Sequence, residues 1–85
     1  MKDRYDAPDI DYERINFENQ VRFYMHELKN IVHKRKTVYS TFDWSDRRRL
    51  QKRGIITYVN AGTTRYYYVT DRAKAVLRTL KEITL

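Results

Sequence analysis

"RRRLQKRGIITYVNAGTTRYYYVT", residues 47–70, decides how this chain folds. It opens on a run of arginines, reaches Gly54, and continues as two aromatic, β-branched runs around a small polar turn. The four residues before it, "DWSD" at 43–46, carry a start signal. Asp43 can cap a helix, and Asp46 in the first turn suits the positive end of the helix dipole. Gly54 fits the position just past a helix end, where left-handed backbone costs a glycine little. A helix is therefore predicted over 43–53. "GIITYV" (54–59) and "RYYYVT" (65–70) read as the strands of a hairpin, with Asn60 and Gly62 marking its turn. Side-chain alternation then puts Tyr66 and Tyr68 on one face and Tyr67 and Val69 on the other.

Downstream, "DRAKAVLRTLKEI" (71–83) reads as a last helix capped by Thr70 or Asp71. Its apolar stripe runs through Ala73, Val76, Leu77, Leu80 and Ile83 or Thr84. Upstream, "NFENQVRFYMHELKNIVHKRK" places Phe17, Val21, Tyr24, Met25, Leu28, Ile31 and Val32 at helical spacing. With Asn16 as N-cap, one long helix over about 17–34 is expected. "TVYSTF" (37–42) stays open between a short strand and a single helical turn. Residues 1–15 are acidic, contain Pro8, and read as an N-terminal arm that Tyr5, Ile10, Tyr12 and Ile15 could anchor. Residues 16–85 make one domain.

Charge is unevenly spread. Residues 1–18 carry six acids and three bases, residues 19–53 ten bases and three acids, and residues 54–85 five bases and two acids, within a net charge of +7. A positive field concentrated in the middle of the chain points to a polyanion, nucleic acid before membrane. There is no cysteine, so disulfides and cysteine-bound zinc are excluded. His26 and His33 stand two helical turns apart, too far for a simple ligand pair, and neither a metal nor a cofactor is expected. No paired carboxylates, no serine with an evident base, and no P-loop or dinucleotide fingerprint occur, so the chain does not read as an enzyme. No apolar run approaches the roughly 20 residues of a membrane span, and the N-terminus lacks the apolar stretch of a secretory signal. The expected location is the cytoplasm of whatever cell holds the protein.

Against these elements, "RRLQKRGIITY…GTTRYYYVTDRAKAVLRTL" resembles the winged helix-turn-helix transcriptional regulators, and most of all the small MarR- or PadR-like members of bacteria, archaea and their viruses. Leu50, Gly54, Ile55, Ile56, Gly62, Tyr67, Val69, Thr70 and the helix from Ala73 to Leu80 carry the resemblance, which covers about residues 43–82. It implies an α+β fold: three or so helices, a two-stranded β wing and a C-terminal helix. The residue three before Leu50 is usually apolar in that family; here it is Arg47. Either its stem covers the core while the head reaches out, or the helix is rotated from the usual register.

The function implied is sequence-specific binding of double-stranded DNA by a transcriptional regulator. Ser45, Asp46, Arg48, Arg49 and Lys52 are the expected recognition-helix contacts, with Leu50 turned to the core beside Ile55 or Ile56. Asn60, Thr63, Thr64 and Arg65 are the expected wing contacts, and Lys34, Arg35 and Lys36 the expected backbone contacts. Asp46 can serve the helix start or accept from a cytosine amine. Trp44 is expected to pack under its helix, the alternative being a stack on sugar or on a partner chain. A homodimer is expected, paired through the first and last helices with Leu80 in the contact, to span two half-sites. Two other readings use the same charge: a non-specific architectural or RNA-binding protein, in which tyrosines could stack on unpaired bases, and a winged protein-interaction module.

Overall fold

Two acidic caps set the first and fourth helices. The computed structural model describes residues 11–83, with side chains through Leu80. The expected anchors Tyr5 and Ile10, and the stripe residues Ile83 (side chain) and Thr84, lie outside what is described. Helix α1 (Tyr12–Phe23) begins five residues before the expected start, capped by Asp11, whose carboxylate accepts from the Arg14 N–H at 3.1 Å. Asn16 thus sits inside the helix rather than at its head. The extra turn is held from outside. Glu13 accepts two N–H bonds from Arg72 of the last helix, at 2.9 and 3.0 Å, and the Arg72 guanidinium lies 3.9 Å from the ring centroid of buried Phe17.

The expected long helix is also divided. α1 gives way at Tyr24 to α2 (Met25–Val32), with Tyr24 at φ −103° and ψ 23°. Neither proline nor glycine is present there. The Tyr24 ring stands edge-on to Phe23 and Phe42, and its hydroxyl is held by Asp46 and Arg49 of the fourth helix. α2 ends with the Lys34 N–H donating to Ile31 O and the Arg35 N–H to Asn30 O, while Lys34 takes φ 61°.

The open segment is a single helical turn, α3 (Val38–Thr41). Thr37 and Ser40 exchange side-chain and backbone hydrogen bonds across its start. α4 (Trp44–Lys52) follows almost as expected, with the Asp46 N–H donating to Asp43 at 2.8 Å. Its end closes in the pattern already seen after α2: Gly54 N–H to Gln51 O and Ile55 N–H to Leu50 O, with Gly54 at φ 79°.

Strands β1 (Ile56–Ala61) and β2 (Thr64–Val69) pair antiparallel, Ile56 opposite Val69 and Ala61 opposite Thr64. The connecting loop is Gly62–Thr63, with Gly62 at φ 65°, a conformation that favours glycine. Asn60 lies in the ladder opposite Arg65 rather than in the turn. Thr70 then starts α5 (Asp71–Ile83). Its hydroxyl accepts from the Ala73 N–H and donates to Gly54 O at 2.7 Å, joining the end of α4 to the start of α5.

The described residues therefore form an α+β domain of five helices and one two-stranded sheet. Its core draws Phe17 and Val21 from α1, Leu28 from α2, Val38 and Phe42 around α3, Leu50 from α4, Ile55, Ile56 and Val69 from the hairpin, and Ala73, Leu77 and Leu80 from α5. Both isoleucines are buried, and the division of Tyr66 and Tyr68 from Tyr67 and Val69 is as expected. No helix among the described residues is long and apolar enough to cross a membrane.

Two expectations change. Trp44 is 62% exposed, while Val38, Phe42 and Leu50 are buried. Leu80 is only 6% exposed and belongs to the core, so it is not available as a contact between copies. Leu80→Asp should cost more than about 3 kcal/mol by placing a carboxylate in an apolar site, seen as lost helical circular dichroism rather than as dissociation of a folded dimer. A second outcome follows from the Glu13–Arg72 pair. Hydrogen bonding to Arg72 holds the Glu13 carboxyl below the ordinary glutamate range. The stabilisation is therefore present above the ordinary value and lost as pH falls through the depressed one. Glu13→Gln should melt slightly below the wild type at neutral pH, with the gap closing as pH falls below the ordinary glutamate range. Because the carboxylate is exposed, added salt should shrink the gap as well.

Candidate functional site

Three consecutive arginines on α4 point about 100° apart, and each meets a different environment. Arg47 turns toward the hairpin. Its Nη1 donates to Phe42 O at 2.7 Å, and its guanidinium carbon lies 4.8 Å from the Tyr39 ring centroid and 6.0 Å from that of Tyr67. The stem is half-buried, and Nε is enclosed without a hydrogen-bond partner. Arg48 turns outward, 5.2 Å over the exposed Trp44 ring. Arg49 turns to the other side, where its Nη1 donates to Asp46 at 2.8 Å and to the Tyr24 hydroxyl at 3.0 Å. The Asp46 hydrogen bond raises the Arg49 pKa above its ordinary value, and burial raises that of the Tyr24 phenol.

The inner face of the hairpin carries this pattern forward. Tyr39 stands edge-on to Tyr67 at 5.3 Å, and Tyr67 to Tyr58 at 5.5 Å. Arg65 lies over Tyr58 at 4.1 Å and reaches the Tyr67 hydroxyl at 3.5 Å, while the Tyr39 hydroxyl donates to Arg65 O at 3.4 Å. Hydrogen bonding to Tyr67 raises the Arg65 pKa further, so this guanidinium is always cationic. Stacking on aromatic faces stabilises arginines by about 0.5–1 kcal/mol each at exposed sites and leaves their N–H groups free to donate outward.

Between α4 and the hairpin these groups line a cleft of about 200 Å³: Trp44, Arg47, Arg48, Gln51, Arg65 and Tyr67. Three arginines and no acidic residue line it. Such a site attracts anions, and the fork of a guanidinium matches phosphate oxygens or the edge of a base.

The expected contact residues separate into groups. Arg48 and Arg65 meet in the cleft. Ser45 and Lys52 are exposed at the two ends of α4. Asp46 pairs with Arg49, and both are engaged on the side of α4 facing Tyr24. Asn60, Thr63 and Thr64 are exposed toward the hairpin tip, beyond Arg65. Lys34 and Lys36 line a different groove, beside β2 and α5, and Arg35 is exposed between them. Sequence reasoning gave no site role to Arg47, Gln51, Tyr39, Tyr58 or Tyr67. The one signal for Arg47 was a charge at the position, three before Leu50, that is usually apolar in the family the sequence resembles.

No protein-family model matches this chain, and no curated protein or solved structure matches it. The site therefore stands on its own geometry. Arg47→Met keeps the apolar stem and removes the charge, the bond to Phe42 O and the stack on Tyr39. It should cost about 2 kcal/mol in denaturant unfolding and shift the ring resonances of Tyr39 and Tyr67, whereas Arg48→Met should leave both unchanged.

Proposed function

We propose that this protein binds double-stranded DNA as a winged helix-turn-helix regulator, with α4 as recognition helix and the β1–β2 hairpin as wing. The observation that carries the reading is the cleft in which Arg47, Arg48 and Arg65 converge from helix and hairpin without an opposing acid. α4 is nine residues long, about 13 Å, and an α-helix about 10–12 Å across its side chains fits a major groove about 12 Å wide. Arg48, with Ser45 and Gln51 on the outward side of α4, would meet base edges. Arg65 and the exposed hairpin tip would meet the flanking backbone. Arg47 would act through the others, fixing the angle between helix and wing. Arg49 would hold α4 to Tyr24 rather than read bases.

The homodimer is part of this proposal, since one short helix reads few base pairs. With Leu80 in the core, another surface supports the pairing. Tyr12, Ile15 and Phe23 are exposed on α1 within an arc of about 80°, Phe23 being 76% exposed. Ile15→Asp should then reduce the sedimentation mass while helical circular dichroism is retained.

Selection of duplexes from a random pool, followed by titration of the selected and a scrambled duplex at several salt concentrations, tests the function. The expected outcome is preference for the selected duplex. Arg48→Ala should cost about 1–3 kcal/mol on that duplex and relax the preference. Arg65→Ala should weaken both duplexes alike and reduce the salt slope by about one. Equal affinity for both duplexes would favour an architectural role. No binding of any nucleic acid at low salt would favour a protein-interaction module.

A further inference from the structure

A groove larger than the arginine cleft shares only Tyr67 with it. It has a volume of about 430 Å³ between the end of α2, the 34–37 connection, β2 and α5. Ile31, Val38 and Val69 contribute apolar lining, Lys34, Lys36 and Lys74 contribute charge, and Tyr67 and Tyr68 line it from the hairpin. No acidic residue lines it. A second groove of about 230 Å³ shares Val32 and Lys74 with it and adds Lys29, His33 and Arg78, again without an acid. Together they form one basic track.

From Tyr68 the track continues onto the outer face of the hairpin. Tyr68 and Tyr66 are 45% and 55% exposed, two residues apart on one strand face and so about 6.8 Å apart along it. Exposed Val59 lies opposite Tyr66. None of these side chains belongs to the arginine–tyrosine ladder on the inner face.

Lys34 adds an independent observation. α2 and α4 end in the same hydrogen-bond pattern, and each needs one residue in the left-handed region. At the end of α4 that residue is glycine. At the end of α2 it is Lys34, at φ 61°, where a side chain is strained. This strained residue lines the larger groove.

We propose that this track and the outer hairpin face bind single-stranded nucleic acid, with unpaired bases on Tyr66 and Tyr68 and the strand's phosphates along Lys34, Lys36 and Lys74. Charge complementarity selects a polyanion, and the tyrosines select its unpaired form. A duplex backbone needs only the lysines, whereas an exposed aromatic face gains from a base whose own face is open. Lys29 and Arg78 extend the basic lining beyond the first groove. The proposal does not rest on the duplex reading of the arginine cleft.

Fluorescence anisotropy of the full chain with a labelled oligothymidylate of about fifteen nucleotides, and separately with a labelled duplex, tests it. Tyr68→Ser and Tyr66→Ser should each weaken the single strand about tenfold, the size of one base–aromatic stack, and leave the duplex unchanged. Lys34→Gly relieves the strained backbone, so it should raise the melting temperature while weakening the single strand. Arg48→Ala should leave the single strand unchanged. The proposal is overturned if the oligothymidylate fails to bind at low salt, or if its affinity falls with Arg48→Ala and not with the tyrosine variants. Thymidine monophosphate competing as strongly as the oligomer would overturn it in favour of a nucleotide pocket, and equal competition by an acidic peptide in favour of a protein partner.

Discussion

Helix α4 buries only one of its side chains fully, Leu50. One leucine can fix the depth of a nine-residue helix but not its rotation or tilt. The flanking arginines supply that. Arg47 ties one side of α4 to Phe42 O and to the ring of Tyr39, and Arg49 ties the other to Tyr24 and Asp46. The α-helical step of about 100° per residue then leaves Arg48 facing out. Three identical residues in a row therefore do three different things, and the outward orientation of the middle one follows from the engagement of its neighbours. The break at Tyr24 belongs to the same site, since its hydroxyl meets both Asp46 and Arg49.

Acidic residues are placed so that they leave the cleft uncompensated. Asp11 and Asp43 satisfy helix starts, Glu13 holds Arg72, and Asp46 holds Arg49. Each is engaged at the end or along the side of a helix, away from the gap between α4 and the hairpin. Mutual repulsion among Arg47, Arg48 and Arg65 is offset by the faces of Tyr39, Trp44 and Tyr58, which attract cations without neutralising them. The richness of the chain in tyrosine has a physical use here that packing alone does not supply. An aromatic face can hold an arginine in a fixed direction and still leave its charge available.

What could be read from the sequence was whatever is decided locally. The bounds of α4 were legible because Asp43 and Gly54 each have one good role at that spacing, and the hairpin because alternation and a glycine turn agree. Leu50 as core followed from the same helix. The start of α1 was not legible, since Asp11 and Asn16 are both capable caps and the choice rests on Glu13 meeting Arg72, 59 residues away in sequence. The break at Tyr24, whose ring and hydroxyl meet Phe42, Asp46 and Arg49, and the exposure of Trp44 were likewise not legible. "TVYSTF" combined strand-forming composition with a reciprocal Thr37–Ser40 cap, and the cap prevailed. Of the candidate contacts, Arg48 and Arg65 were brought into one cleft. Lys34 and Lys36 could not be separated from that cleft before the path of the chain after α2 was known.

The two helix ends built alike allow one more step. Gly54 and Lys34 occupy the same place in the same motif, and a side chain at Gly54 would meet open space. Space therefore does not explain why one is glycine and the other lysine; conformational cost alone would favour glycine at both. Left-handed backbone is unfavourable for lysine by about 1–2 kcal/mol, a sizeable fraction of what a domain of this size has to spare. Gly54 must pass directly into Ile55 and Ile56, both buried, so its neighbours determine the stability of the hairpin base. Lys34 passes into an exposed connection and opens on a groove lined by two further lysines. Local strain is tolerated where the side chain faces an anion-attracting surface and avoided where the chain turns into the core, so the difference between the two ends tracks what lies beyond each of them.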